Sequence, residues 1–295
     1  MEVIGAIGIC IGASSVTYVH MEKNGDRPKL VDSSVIIHEG NPEKVIRDLL
    51  LLPSFGNTNN IAVTGRKFRN IVDSPTISEP EAVEYAYRHV QDKAEANIIV
   101  SAGGETVMVY QIDPTGRILD VFTGNKCASG TGEFFLQQLK RMDIGLEEVG
   151  NIADLDDPFL VSGRCSVFCK SDCTHALNKG IPREKVVSGL TDMMAGKISE
   201  LVRQIGLRER NGGSPKVLLV GGSSNNKLLI EFLRKRITEV EIPPNAECFE
   251  AMGASLWALQ ENESTAGKSS IGIKKRGSSF GRHNPLKDFE HCVHF

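Results

Sequence analysis

The feature that most restricts the fold of this sequence is a strand, glycine turn, strand pattern that occurs twice. The first copy, Val3–Val19, is rich in β-forming residues and turns at Gly12–Ser15. The second copy, Asn97–Ile112, turns at Ala102–Thr106, about ninety residues further along the chain. A plan repeated at this spacing predicts two related subdomains that face each other across a cleft.

A third glycine turn has a different setting. Lys216–Val220 is an apolar run typical of a buried strand, and Gly221 and Gly222 follow it before an amphipathic helix begins. Glycines let the backbone approach a flat ligand closely, and the N-terminus of a helix favours anions. Turns of small residues likewise bring backbone N–H groups close to phosphate. Each of these turns, taken alone, is only weak evidence for a nucleotide-binding site.

The composition is that of a globular chain with no marked affinity for nucleic acid or membrane. Of 295 residues, 40% are hydrophobic and 24% charged, and the formal net charge is −3. The longest apolar runs, near Leu49–Leu52 and Val217–Val220, are too short to span a bilayer. The start of the chain lacks the basic region of a secretory signal, and the cysteine count is odd. We therefore expect a cytoplasmic protein that binds neither nucleic acid nor membrane and has no disulfide framework.

The cysteines are concentrated in two segments. Cys127 lies just before a predicted helix over Glu133–Met142, for which Ser129 or Thr131 is a plausible N-cap, and Cys165 lies just before a second helical run. The partial positive charge of a helix N-terminus stabilises a thiolate, so two such cysteines make half of a metal or iron–sulfur site. A symmetric dimer supplies the same pair twice and completes four thiolates.

Other interpretations of the cysteines stay open. Free cysteine is often a small buried hydrophobic residue, so those on the second helix also suit a core face. On a regular helix Cys165 and Cys173 are about 12 Å apart, too far for one cluster to bind both. Cys165 is the preferred ligand, Cys169 is a reserve one turn further in, and Cys173 is expected to pack or to form a hydrogen bond. A zinc site with His175 would have a spacing that matches no closed zinc motif.

The motifs resemble a known family. The three glycine turns resemble the nucleotide-binding superfamily of actin, sugar kinases and heat-shock chaperones, an α/β, ribonuclease H-like fold of two subdomains with a central nucleotide cleft. The string Lys-Cys-Ala-Ser-Gly-Thr-Gly at 126–132 and Cys-Ser-Val-Phe at 165–168 resemble more specifically the ATP-dependent activators of 2-hydroxyacyl-CoA dehydratases and benzoyl-CoA reductases. The resemblance covers roughly residues 3 to 260.

The resemblance implies an activity and a set of site residues. It implies a homodimer with one [4Fe–4S] cluster at its interface, bound by Cys127 and Cys165 of each protomer, and ATP turnover that drives one low-potential electron to a dehydratase or reductase partner. Glu105 is the one obvious acid that remains near the predicted phosphates, and we expect it to be the catalytic residue. The implied nucleotide-binding residues are Gly12, Ala13, Ser14, Ser15, Gly103, Gly104, Gly130, Gly132, Gly221, Gly222 and Ser223.

The sequence departs from the family pattern in both phosphate turns. Cys10 and Ser101 stand at the acidic positions that precede the turns, and Glu105 and Thr106 stand where the family usually has Gln-Asp. Mg²⁺ prefers carboxylate and phosphate oxygens, so a thiol at position 10 is a poor substitute, and both the magnesium site and ATP hydrolysis stay open. The alternative is a degenerate nucleotide-binding regulatory or scaffold domain that pairs with an active copy. A small-molecule kinase of the same fold is a weaker alternative, because it leaves the cysteines without a role.

The chain divides by pattern and composition into three parts. We expect a first subdomain over 1–92, a second over 93–261 that carries the cysteines and the adenosine turn, and a linker-like tail over 262–295, where Ser, Gly, Lys and Arg dominate at first. The longer string from Cys165 to Gly180 resembles large activase-like proteins with two such domains in tandem. The tail suits the N-terminal member of such a pair.

Overall fold

The computed structural model describes most of the chain in nine segments. The described residues are 3–25, 27–58, 60–65, 71–90, 96–124, 130–152, 155–206, 214–264 and 272–273. Cys127 and most of the predicted tail lie outside them, so the structure gives no account of either.

Strands and helices alternate along the described chain. The strands are β1 Ile4–Ile11, β2 Ser15–Lys23, β3 Lys29–Ile37, β4 Ile61–Thr64, β5 Val72–Asp73, β6 Ile98–Ala102, β7 Val107–Ile112, β8 Ile118–Thr123, β9 Lys216–Val220, β10 Glu239–Glu241 and β11 Gly272–Ile273. The helices are α1 Pro42–Leu49, α2 Pro53–Asn57, α3 Glu79–Val90, α4 Gly132–Met142, α5 Val149–Ile152, α6 Ser166–Asn178, α7 Arg183–Gly206, α8 Lys227–Arg234 and α9 Phe249–Ser264.

Two sheets repeat one topology. The first has the order β3-β2-β1-β4, with β1, β2 and β3 antiparallel and β4 parallel to β1. The second has the order β10-β9-β6-β7-β8, with β6, β7 and β8 antiparallel and β9 parallel to β6. Beyond β4, Val63 forms a parallel bridge with Thr76, at the place that β10 takes in the second sheet. The predicted duplication of the strand plan is therefore visible in the strand order.

The sheets and helices form alternating layers around three apolar cores. Because side chains alternate along a strand, Ile7, Ile9 and Ile11 of β1 pack toward α1 and α2, whereas Ala6 faces the opposite side. The middle core lies between the two sheets and contains α3 and α9. The third core covers the far face of the second sheet with α4, α6, α7 and α8.

Helix α9 packs on the first sheet although it follows the second one in the chain. A Cβ added at Gly8 of β1 would lie 1.9 Å from Ala251 O and 2.4 Å from Ser255 N, and one added at Gly253 would lie 1.7 Å from Ala82 O of α3. Glycines therefore let α9 approach both β1 and α3 at backbone distance. The subdomain boundaries 92/93 and 261/262 stay predictions.

No helix within the described segments is long and apolar enough to cross a membrane.

Candidate nucleotide cleft and cysteine helices

The two predicted phosphate turns have the same backbone geometry. In the first, the N–H of Gly12 donates to Ser15 O over 2.9 Å, and in the second the N–H of Gly103 donates to Thr106 O over 3.0 Å. Each turn directly joins paired residues of an antiparallel hairpin. Cys10 and Ser101 therefore occupy equivalent positions, two residues before their turns.

All three glycine turns meet at one cavity of about 120 Å³ between the two sheets. The third turn reaches it because Gly221 has a φ of 88°, which L-residues rarely adopt, and because a Cβ there would lie 2.8 Å from Ala102 O at the end of β6. The N–H of Gly221 donates to Ala246 O over 2.8 Å, which fixes the turn against the segment before α9. The convergence predicted from the glycine pattern is thus present.

Most of the predicted nucleotide residues lie around this cavity. Its lining includes the following predicted residues: Gly12, Ala13, Ser14, Ser15, Gly103, Gly104, Glu105, Gly221 and Gly222. Ser223 and Gly132 lie next to one another, since a Cβ at Gly132 would be 3.0 Å from Ser223 Oγ and 3.2 Å from Gly103 O. Their roles in binding stay predictions.

The start of α4 is attached to both phosphate turns. The N–H groups of Gly132 and Glu133 donate to Gly103 O over 3.1 Å and to Gly104 O over 2.9 Å. From the first turn, Ser14 Oγ donates to Glu133 Oε2 over 2.6 Å. Thr131 caps the helix by accepting from the N–H of Phe134 over 3.4 Å, which confirms one of the two predicted N-caps. The two turns therefore touch each other and the same helix end.

The cleft contains carboxylates that the sequence analysis did not assign to it. Glu79, Glu247 and Glu250 line the cavity beside Glu105, so Glu105 is not the single acid near the phosphate turns. Glu79 and Glu250 stand in the first turns of α3 and α9. In the sequence, an acid at a helix start is already explained by its favourable interaction with the helix dipole. Glu250 lies in the cleft because α9 crosses over β1, and this crossing is not visible in the sequence.

These acids surround the two positions at which the family acids are missing. Ser101 Oγ donates to Glu250 Oε1 over 2.5 Å. Burial, and next the nearby Glu250 and Glu79 carboxylates, raise the pKa of the Cys10 thiol well above its usual value. The thiol is therefore neutral near pH 7, and the local negative charge resides on the glutamates.

A larger cavity of about 470 Å³ lies on the other side of the second phosphate turn. Glu105 and Thr106 line both cavities, and Gly130, Arg164 and Lys197 line only this one. Gly130, a predicted nucleotide residue, therefore lies away from the cleft. A Cβ on it would meet Lys197 Cδ at 2.9 Å.

Cys165 is the N-cap residue of α6, as predicted, and is partly exposed. Its carbonyl accepts from the N–H of Cys169 over 3.0 Å. The helix begins with two exposed apolar side chains, Val167 at 73% and Phe168 at 58% relative exposure, and Leu160 nearby in sequence is exposed at 89%. Neighbouring exposed apolar side chains such as Val167 and Phe168 are typical of a contact surface.

The two later cysteines of α6 belong to the core. Cys169 is fully buried and Cys173 is 3% exposed, both in the apolar cluster with α4 and α7. A hydrogen bond with Cys173, followed by burial, raises the pKa of Cys169 far above its usual value. Cys169 thus lies among core residues, and its role as a reserve ligand stays a prediction. Cys173 packs, as expected.

Among the described residues no group of three or more His, Cys, Asp or Glu side chains is placed to hold a metal ion. Cys127, the other predicted ligand, lies outside those residues. Within the part of the chain that the structure describes, Cys165 is thus the partly exposed cysteine that stands at a helix start.

Comparison with known proteins agrees with this geometry. Residues 64–258 match the BadF/BadG/BcrA/BcrD ATPase family. The chain belongs to this family. Within it, the chain is 31% identical over 169 residues to the 2-hydroxyisocaproyl-CoA dehydratase activator of Clostridioides difficile, a match that covers 57% of this chain and 61% of that protein. It is also 23% identical over 278 residues to a component of the benzoyl-CoA reductase of Thauera aromatica, covering 88% of this chain and 94% of that one.

A solved relative confirms the predicted fold. The activator of the 2-hydroxyisocaproyl-CoA dehydratase from Clostridium difficile, solved with bound ADPNP, superposes with a TM-score of 0.76 at 26% identity. The superposition covers 93% of this chain and all of that one. Together with the duplicated sheet order, it confirms the actin-like, two-subdomain α/β fold.

Proposed function

We propose that this chain is an ATP-dependent activator that passes a low-potential electron to a dehydratase or reductase partner. The observation that carries the proposal is the attachment of α4 to both phosphate turns, because this is the helix that follows the Cys127 segment. A ligand in the cleft would thus act directly on the helix next to a predicted cluster ligand. The family relationship and the nucleotide bound by the solved relative support it.

Nucleotide would be held mainly by backbone groups. The N–H groups of the turns at 12–15 and 103–106 suit the β- and γ-phosphates, and the turn at Gly221 and Gly222 suits the nucleoside. Since these contacts do not need acidic side chains, the changes at Cys10 and Ser101 leave them intact.

The residues of the cleft also fit Mg²⁺ in their chemistry. Magnesium is usually bound by one or two carboxylates together with substrate phosphates and water. Glu250, which accepts from Ser101, and Glu79 supply carboxylates next to the two positions where the family acids are missing. We propose that they take over that role, with Glu105 as the acid nearest the transferred phosphate.

The cysteine helices suit a [4Fe–4S] cluster only if it is shared. Cys165 is accessible and lies at a helix N-terminus, which favours an anionic cluster. With Cys127, each chain supplies two thiolates, so a second copy or a tandem domain must supply the others. The exposed Val167 and Phe168 beside Cys165 are suited to that contact. When bound, the cluster supplies a one-electron carrier.

The decisive experiment is iron and sulfide analysis of protein purified without oxygen. We expect about one cubane for two chains, and its loss in Cys127→Ala and in Cys165→Ala while the circular dichroism spectrum is kept. The matched control is Cys248→Ala, since Cys248 is buried on the segment before α9. Iron retained in both ligand variants, or iron absent from the wild-type protein, would contradict the electron-transfer proposal.

The alternative function is a degenerate regulatory or scaffold domain. Cys10 and Ser101, in place of two acids, are the observation that favours it. An ATPase assay on the reduced, metal-loaded assembly separates the two functions. Turnover well above background that is lost in Glu250→Gln supports the activator, whereas background turnover with intact ADP binding supports the scaffold.

A further inference from the structure

A side chain of the protein itself engages the predicted phosphate turns. Glu133, in the first turn of α4, accepts through Oε2 from Ser14 of the first turn over 2.6 Å and through Oε1 from Gln137 Nε2 over 3.1 Å. Both donors are neutral groups. The Glu133 carboxylate thus accepts the hydrogen bond of the Ser14 hydroxyl, which would otherwise be available to a nucleotide phosphate bound at the first phosphate turn.

The contact also brings the two turns together. A Cβ at Gly104 would lie 2.5 Å from Ser14 Oγ, so the first turn rests directly on the second. The space left in the cleft is about 120 Å³, below the range of about 300 to 1,000 Å³ that is usual for ligand pockets. Movement of Ser14 away from Gly104 and from Glu133 would widen this space for a triphosphate.

We propose that the Glu133 carboxylate competes with nucleotide phosphate for the first phosphate turn and holds the cleft closed. The affinity for a ligand then depends on whether, and how many, phosphates it carries. The inference rests on the proposed nucleotide-binding function. Two negative groups cannot share the Ser14 hydroxyl at short distance without a Coulomb cost, so phosphate entry displaces the carboxylate. Because Glu133 belongs to α4, its displacement frees the helix end from the first turn.

The charge alone is tested by Glu133→Gln, which keeps the size and the acceptor oxygen of the side chain. We expect this variant to bind ADP about tenfold more tightly than the wild type in EDTA, measured by isothermal titration calorimetry, because the like-charge repulsion is removed. Adenosine, which has no phosphate, should bind both proteins equally within about twofold. The gain for ADP should shrink in high salt.

The matched control is Glu184→Gln, at the equivalent first-turn position of α7 and outside the cleft lining, which should leave both affinities unchanged. Glu133→Asp, with the carboxylate drawn back by one methylene, serves as the second variant and should give a smaller gain. Thermal unfolding of each variant verifies that it is folded.

Three results would overturn the inference. The first is an unchanged affinity for ADP in Glu133→Gln. The second is an equal gain for ADP and adenosine, which would mean that the cleft merely loosens. The third is weaker binding of ADP by Glu133→Gln in Mg²⁺, which would make Glu133 a metal ligand. Each of these leaves nucleotide binding by the wild type intact. If neither wild type nor variant binds ADP, both the inference and the proposed nucleotide function fail.

Discussion

Individual side chains in the cleft show how negative charge is kept near the phosphate turns after two acids are replaced. Cys10 and Ser101 hold equivalent positions in the two hairpins, and Glu250 interacts with both. The thiol is protonated because ionising it would place a second negative charge, partly desolvated, beside a carboxylate. The cleft thus presents carboxylates from helix starts and a neutral thiol from the strand.

The pKa of Cys10 gives a prediction on reactivity. Burial and Glu250 both raise this pKa, so Glu250→Gln should lower it and increase the alkylation rate of Cys10 at pH 8.5 several-fold, while the burial contribution keeps it above the usual value. The measurement is iodoacetamide labelling followed by peptide mass spectrometry over a pH series. Burial, Glu247 and, last, Glu250 raise the pKa of Cys248 to about 12, and because burial is the largest of these causes Cys248 should stay slow in both proteins and serves as the labelling reference. An unchanged rate at Cys10 would contradict the assigned charge interaction.

Among the secondary-structure elements, α9 connects the packing of the first sheet with the cleft. It lies between the two sheets, packs against β1 and α3 over small residues, and presents Glu250 to the cavity from its first turn. The approach of α9 to β1 depends on Gly8, where the backbone of the helix occupies the space of a side chain. The packing of this helix and the position of the acid are therefore linked.

Gly8→Ala should be strongly destabilising. The new methyl group would overlap Ala251 O and Ser255 N, which are backbone atoms and cannot rotate away, so we expect a loss of about 3 kcal/mol in the free energy of unfolding. Urea unfolding followed by circular dichroism measures it. Gly196→Ala on α7 is the matched control, because a Cβ there meets nothing within 4 Å and alanine favours a helix. Equal stability of Gly8→Ala and wild type would contradict the close crossing.

The whole molecule combines two halves that have similar sheets. It also carries an exposed apolar surface at the start of α6, formed by Val167 and Phe168. The described lining of the cleft comes from the glycine turns and their neighbours and includes no residue of α6, which begins with Val167 and Phe168 exposed. Burying large apolar side chains stabilises an assembly by about 1.5 to 3 kcal/mol each. This surface is where the proposed second copy or tandem domain would be in contact.

Phe168→Glu should prevent self-association. A charge in an apolar contact is costly to desolvate, so analytical ultracentrifugation should give a dimer for the wild type and a monomer for the variant. The control is Leu119→Glu, a residue 62% exposed on the edge strand β8, which should leave the dimer unchanged. A monomeric variant that still holds iron would separate dimer formation from cluster binding and contradict the shared site.

Periodicity and turn chemistry in the sequence were sufficient for the duplicated hairpins, the three glycine turns and the helix starts at Thr131 and Cys165, whereas the family came from the resemblance of the motifs at 126–132 and 165–168. These features depend on local rules, since a glycine turn or an N-cap acts on residues a few positions away. For the same reason Cys173 was expected to pack from its spacing on a helix. The fold class came from the resemblance that the order of the three glycine turns carries.

Contacts between residues far apart in the chain depended on the folded packing. Glu250 enters the cleft because α9 returns to the first sheet, and Glu133 meets Ser14 because two hairpins distant in sequence come into contact. Cys169 is buried because α6 packs with α4 and α7. A sequence pattern indicates which face of a helix or strand is apolar. Which other element packs against that face depends on the tertiary structure, in which the apolar faces of all elements are buried together.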